Sequence, residues 1–149
     1  MTIAELLKKR GNYVHNTDSG RTVAEAIAEM AMKKTDVLIV TSDGLPAGIF
    51  TENDVFRCCR LHKSESFSDI RVSELMSRDI VSANPEDEIK DALDKMLQRE
   101  VRHLPVLESS NILGMLNMND LVREQLEILH GEIHFLNDYV ARLQDAGHD

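Results

Sequence analysis

The sequence has no tryptophan, and aromatic residues make up 4% of it. So few rings exclude the base-stacking platform of a single-strand nucleic-acid binder. Only two cysteines occur, Cys58 and Cys59, side by side in a stretch that reads as helix. Helical neighbours point in different directions and bridge poorly, and neither belongs to a Cys-x-x-Cys pair. That excludes a disulfide framework and makes a reduced setting the expectation. No apolar run approaches membrane-spanning length, and the opening MTIAELLKKR is not read as a signal peptide, so a cytoplasmic, non-membrane protein is expected. Cationic charge is short too, with 17 Lys and Arg against 26 Asp and Glu, for a formal charge of −9. No broad nucleic-acid surface is expected from that balance, which leaves room only for a local basic pocket.

What the chain does have is a duplication. GIFTENDVFR (Gly48–Arg57) returns as GMLNMNDLVR (Gly114–Arg123), offset by 66 residues. Laid together without a gap, Val23–Arg57 and Ile89–Arg123 agree at Ala26/Ala92, Met30/Met96, Leu38/Leu104 and Val40/Val106. They agree again at Gly48/Gly114, Asn53/Asn119, Asp54/Asp120 and Arg57/Arg123. The period exceeds a solenoid unit, so two domain-like halves fit better than a stack.

Each half reads as helix, strand, turn, strand, helix. Thr22 and Glu25 form a capping-box signature, with Val23, Ala26, Ile27 and Met30 on one helical face. The counterpart helix follows Asn84-Pro85, with Ile89, Ala92, Leu93, Met96 and Leu97 as its apolar face. VLIVT (Val37–Thr41) and HLPVL (His103–Leu107) are strand-length apolar runs, followed by turn residues and the strands AGIF and LGMLN. Lead-in strands are predicted at Tyr13–His15 and Ile80–Ser82, and a helical turn at Ser73–Ser77. Thr2 and Glu5 cap a further helix that ends at Gly11. The predicted organisation is an N-terminal helix (1–12), first repeat (13–63), polar linker (64–72), second repeat (73–124) and C-terminal helix (125–149). One half cannot bury both faces of so small a sheet. Two packed sheet to sheet about a pseudo-twofold axis can.

The segments TVAEAIAEMAMKKTDVLIV…GIFTENDV and ELMSRDIVSANPEDEIKDALDKMLQREVRHLPVL…GMLNMNDL resemble the CBS (cystathionine β-synthase) domain family, as a stand-alone tandem pair or Bateman module. The resemblance runs from Tyr13 to Arg123. It implies an α+β fold of two CBS repeats related by a pseudo-twofold axis, with flanking N- and C-terminal helices. It also implies an adenosine-containing ligand in the cleft between repeats. The family's nucleotide signature, Gly-x-x-Thr/Ser-x-x-Asp, is met by Gly48, Thr51 and Asp54. By resemblance Asp54 holds the ribose diol and Thr51 the ribose–phosphate side, where free backbone N–H groups at a helix start favour anions. The second repeat departs from the signature: Asp120 is in place, but Asn117 replaces the hydroxyl residue. Adenine is implied to lie on Val14, His15, Val37 and Leu38 in the first repeat, and on Val81, Ser82, Leu104 and Pro105 in the second. Related chains often read Glu-Arg-Asp where this one has Glu52-Asn53-Asp54, which removes a phosphate ligand. Arg57, Arg60, Arg102 and His103 are the cations left to replace it. Asp36-Val37 in one half stands against Arg102-His103 in the other, so the clefts are not expected to be equivalent.

Simpler readings stand beside these. Asp or Asn at a helix start is an ordinary cap, so Asp54 and Asp120 read either as caps or as ribose ligands. His130 and His134 have a two-ligand spacing on a helix, but the order is not His-Glu-x-x-His and no third ligand is near. Cys58-Cys59 reads as partly buried helix. In the tail, Val122, Leu126, Leu129, Ile133, Leu136, Val140 and Leu143 alternate spacings of four and three, a heptad seam that predicts self-association through this helix or the module faces, the alternative being a helix folded back on its own module. Leu121, Ile128 and Phe135 widen the stripe toward a bundle-like interface. No activated nucleophile, acid–base pair or metal cluster emerges, so no catalysis is expected.

The expectation is therefore a non-enzymatic, homodimeric regulatory module with no required cofactor. It would bind an adenosyl small molecule, AMP-like first, with ADP, ATP or S-adenosylmethionine as further possibilities, and act on an unidentified protein partner. A ligand-free dimeric scaffold working through the C-terminal helix is the alternative.

Overall fold

The computed structural model describes residues 1–147; the last two residues of the predicted C-terminal helix lie outside them. Six helices and five strands occur among the described residues: α1 (Ile3–Arg10), β1 (Asn16–Asp18), α2 (Val23–Lys33), β2 (Val37–Ser42), β3 (Leu45–Thr51) and α3 (Glu52–Leu61). After these come α4 (Val72–Leu75), α5 (Ile89–Arg99), β4 (His103–Glu108), β5 (Asn111–Asn117) and α6 (Met118–Ala146). The mixed α+β composition and the helix–strand–strand–helix order of each half are as the sequence predicted.

Local signals act where they were read. Thr2 and Glu5 close a capping box on α1, as do Thr22 and Glu25 on α2. β2 pairs antiparallel with β3, and β4 with β5, in matching registers that each slip once near the far end. The lead-in strands sit differently from their prediction. β1 lies three residues later than Tyr13–His15 and runs parallel to β2, because the His15 carbonyl already accepts from Ile39 N–H and the ladder continues into Asn16–Asp18. In the second half, Ile80–Ser82 forms no strand, and only Ala83 bridges Val106. Polar residues on a short parallel edge carry no alternation for a sequence reading to detect.

Packing departs from the linear order of the chain. The first core joins Val23, Ala26 and Met30 of α2 to Leu38, Val40, Phe50 and Cys58. It also takes in Ile70, Val72, Leu75 and Met76 at the end of the stretch between halves. Ile70, at the end of the predicted polar linker, is fully buried, and its carbonyl accepts from Val23 N–H at 2.8 Å. The second core takes Ile3, Leu6 and Leu7 from α1 at the other end of the chain, packing them on Ile89, Ala92, Met96, Leu104, Val106, Leu116 and Leu121. Thr2 bridges Glu88 as Arg71 bridges Thr22. α1 and α4 are thus equivalent pieces, α1 covering the second half and α4 the first. Each fully buried aliphatic side chain contributes roughly 1.5–3 kcal/mol, so α1 is held firmly to the body.

Strand alternation sends Leu38 and Val40 into the helices of their own half and leaves Val37 and Ile39 on the opposite face. There Val37, Ile39 and Ile49 meet Ile112 and Met115 of the second half, with Val14 and Ile80 at the edges. This sheet-to-sheet contact is the one the duplication predicted.

The repeated glycines are explained by close approach. A Cβ on Gly48 would stand 2.6 Å from the Ser77 carbonyl oxygen, which accepts from Ile49 N–H. A Cβ on Gly114 would meet the Leu7 methyl Cδ2 at 2.7 Å. Backbone cannot move aside as a methyl can. Gly48→Ala is therefore expected to cost about 2–3 kcal/mol and Gly114→Ala less than about 1 kcal/mol. Urea denaturation of the two variants checks the order; equal costs would contradict it.

Candidate functional site

Two cavities open along the seam between the halves. The larger, about 340 Å3, is lined by Ile49, Thr51 and Asp54 of the first half and by Val81, Arg102 and His103 of the second, among others. The smaller, about 260 Å3, is lined by His15, Lys34 and Val37 of the first half and by His103, Met115 and Asn117 of the second. Asp36 and His103 line both. Their side chains meet at 3.1 Å, Nε2 to Oδ1, and form the partition between the two clefts.

Each cleft therefore draws on both repeats, a pairing that differs from the predicted one. Thr51 and Asp54 share a cleft with Val81, whereas His15 and Val37 face Asn117. Leu38 and Leu104 are fully buried in their own cores and reach neither cavity. Adjacent strand residues point to opposite faces, so the side chains of Val37 and Leu38 do not face one cleft together, and Leu38 has only its backbone to offer there. Pro105 is buried, pairs with Met115 and lines neither cavity. Val14 packs at the sheet contact. Ser82 is absent from both linings, and its carbonyl accepts from Lys95 Nζ at 2.8 Å.

At the start of α3, Asp54 accepts the Thr51 backbone N–H on Oδ2 at 2.8 Å, while Oδ1 stands 3.0 Å from the Arg57 guanidinium. Thr51 and Asp54 thus form a capping box, and both also line the larger cleft. Asp54 is 5% exposed. Burial pushes its carboxyl above the ordinary Asp range, against the pull of the Thr51 N–H and Arg57. At the start of α6, Asp120 accepts the Asn117 backbone N–H at 3.1 Å and donates its own backbone N–H to Asn117 Oδ1 at 2.8 Å. Asp120 lines neither cavity, so there the cap is its visible role. A carboxylate kept in an unfavourable setting at a cleft is a signature of functional sites, and Asp54 carries it.

The cations divide in the same way. Arg57, Arg102 and His103 line the larger cleft and Arg60 does not. Arg57 is already committed, to Asp54 and to the Leu75 carbonyl of α4. Residues that no motif marked complete the wall: Asp79, Glu100, Val101 and Ser77, the last at an antiparallel bridge to Ile49. Glu100 and its counterpart Lys34, each in left-handed conformation at a helix end, place a carboxylate in the larger cleft and an ammonium in the smaller. With Asp36, Glu52, Asp54, Asp79 and Glu100 facing Arg57 and Arg102, the larger cleft is acidic. Their convergence follows from the pseudo-twofold contact and is invisible to a reading taken one repeat at a time.

The other marked residues lie elsewhere. Cys58 is buried in the first core and Cys59 is exposed. His134 stands 3.5 Å from Asp138 on exposed α6, and no metal-binding cluster occurs among the described residues.

Known proteins agree with this architecture. The family model described as CBS domain matches residues 72–127. The CBS domain-containing protein YhcV of Bacillus subtilis (strain 168) is 28% identical over 113 residues, covering 76% of this chain and 79% of YhcV. The structure of a CBS-domain protein from Burkholderia ambifaria MC40-6 superposes with a TM-score of 0.77 at 29% identity, covering 85% of this chain and 95% of that one. The CBS domain pair of MJ0100, solved with 5′-methylthioadenosine and S-adenosylmethionine, shares the fold with a TM-score of 0.73 at 17% identity, over 89% and 98% of the two chains. Residues 72–127 are thus matched to a CBS domain, and along most of its length the chain is similar in sequence and fold to proteins built from CBS domains.

The raised carboxyl of Asp54 has a consequence for stability. A folded-state pKa above the unfolded one gives stability that is present at acid pH and lost as pH rises through the folded value. At pH 7 the ionised Asp54 carries a desolvation cost that an amide would not. Asp54→Asn is therefore expected to change stability by no more than about 1 kcal/mol at pH 7, with wild type gaining on the variant as pH falls toward 4. Denaturation at the two pH values tests this; a variant that loses more ground at pH 7 than at pH 4 without ever recovering it would contradict it.

Proposed function

We propose that this chain is a regulatory module whose larger cleft binds an adenosine-bearing ligand of little or no negative charge. The observation that carries the reading is the position of Asp54. It is a buried carboxylate at a helix start, at the mouth of a cavity of nucleoside size, with lone pairs left for a ribose diol. CBS-domain proteins serve as regulatory modules, and one structural relative was solved with two adenosyl compounds. Scarce cations favoured AMP over ATP on sequence grounds. The acidic wall moves the balance further, toward adenosine or the sulfonium S-adenosylmethionine, with AMP next and ADP and ATP least. The smaller cleft, with Asn117 in place of a hydroxyl, is the weaker site.

Binding would act by stabilising one relative setting of the halves, since Arg57 ties Asp54 in the cleft to α4 and Asp36–His103 joins the halves at the partition. A ligand shifts such an equilibrium only by its difference in affinity for the two states. Two copies of the chain associate, and a protein partner reads the shift. The exposed apolar stripe of α6 favours a second reading, a scaffold that needs no ligand.

Calorimetric titration of nucleotide-free protein with adenosine, S-adenosylmethionine, AMP and ATP tests the proposal. Saturable binding is expected, with ATP weakest. A hydrogen bond to a charged group contributes about 1.5–3 kcal/mol, so Asp54→Ala should weaken binding roughly 10- to 100-fold, while Asp120→Ala leaves it nearly unchanged. Affinity should fall on acidification before an ordinary Asp would titrate, because the diol needs the ionised carboxylate. No binding by any of the four to folded protein would leave the scaffold reading.

A further inference from the structure

α6 is longer than the body it rests on. Leu121 is fully buried and Glu124 is 2% exposed, but from Leu129 to Gly147 every residue is exposed. A lone helical arm of this kind is marginal in water, because helices in proteins gain most of their stability from packing an apolar face. This arm has such a face with nothing on it. Leu126, Leu129, Ile133, Leu136, Val140 and Leu143 are each between 41% and 57% exposed.

We infer that α6, from Leu126 onward, pairs in parallel and in register with the same segment of a second copy of this chain as a two-stranded coiled coil. The inference rests on the association of two copies proposed above, and not on ligand binding.

Heptad positions identify the occupant. The a positions are Leu126, Ile133 and Val140, and the d positions are Val122, Leu129, Leu136 and Leu143. Ile133 and Val140 at a, with leucine at d, follow the combination that favours parallel dimers over trimers and tetramers, and Leu126 is the a position outside it. The flanking g and e′ positions of the two copies then bring together Gln125 with His130, Glu132 with Asn137 and Tyr139 with Gln144. Each pair can hydrogen-bond, and none sets like charges against each other. The f positions are Glu124, Gly131, Asp138 and Asp145, opposite the seam. A Cβ on Gly131 would meet nothing within 4 Å, so this glycine costs helix propensity without opening the interface.

The body holds the helix by that opposite side. Lys9 and Arg10 of α1 reach Glu124 at 3.0 and 3.7 Å, and Lys9 also pairs with Glu127 at 3.0 Å. Leu121, at a c position, is spent on the second core. With Leu121 at c and Glu124 at f turned to its own body, the a/d seam at the foot of the arm opens away from it. Leu121 is lost to the core, but Ile128 and Phe135 at the next c positions join no core, and Phe135, 65% exposed, flanks the a/d seam. From Leu126 to Ala146 the arm offers about 30 Å of helix, or three heptads.

The test uses the full chain. Sedimentation equilibrium should show a dimer, and Ile133→Glu should raise its dissociation constant at least about 100-fold without changing the melting of the body, since position 133 touches nothing else. Leu143→Cys in a Cys59→Ser background should form a disulfide-linked dimer under mild oxidation, because parallel register places the two substituted positions side by side. A monomeric wild type would overturn both the association and the coil. A dimer indifferent to Ile133→Glu would keep the association and move it to other faces of the body. A trimer or tetramer would overturn the two-stranded form. Cross-linking only when the Leu143→Cys chain is mixed with a Leu126→Cys chain would show the pairing to be antiparallel.

Discussion

The sheet-to-sheet contact between the halves is the constraint on which the rest depends. Val37, Ile39 and Ile49 can leave water only against Ile112 and Met115, since the other faces of the strands are spent on their own helices. That contact brings the end of β3 beside the second lead-in segment, and the end of β5 beside the first. Both clefts are by-products of it. Their mixed ancestry, Thr51 and Asp54 with Val81 and His103 on one side, His15 and Val37 with Asn117 on the other, is a geometric consequence of pseudo-twofold packing. The exchange of α1 and α4 secures it. α4 completes the first core within the continuous run Val23–Met76, whereas the second core is closed only by α1 from the other end of the chain.

Electrostatics then separates two clefts that share a backbone plan. Position for position, Glu100 stands where the other half has Lys34, and Arg102 where it has Asp36. The larger cleft becomes a carboxylate-lined cavity with one buried acid, Asp54, whose ionisation is disfavoured by its surroundings. Folding gains little from that charge. A ligand with hydrogen-bond donors to offer would gain from it.

Periodic features of the sequence were legible, and convergent ones were not. The capping boxes at Thr2 and Thr22, the strand Val37–Thr41 and the duplicated Gly48/Gly114 all announce themselves locally, through side-chain bonding or alternation, and the structure keeps them. The lead-in strand was misplaced because Asn16-Thr17-Asp18 pairs by backbone alone. Leu38 and Leu104 were marked as adenine positions, and strand alternation turns their side chains into the cores, which leaves only their backbone toward the seam. Asp54 was found through a motif, but its cap and its place in the cleft were one position with two readings, and only burial distinguished it from Asp120. Asp79 and Glu100 had no signal, and Asp36 and His103 were marked only as a difference between the repeats; their pairing acquires meaning only when the second half is laid against the first.

Chemical-shift mapping of isotope-labelled protein titrated with adenosine and S-adenosylmethionine tests the central claim most directly. A single cleft built by both repeats predicts perturbations at Thr51 and Asp54 together with Val81, Arg102 and His103, while Asn117 and Asp120 stay in place until higher ligand concentration. Shifts confined to one repeat, or centred on His15 and Asn117 from the first addition, would contradict it.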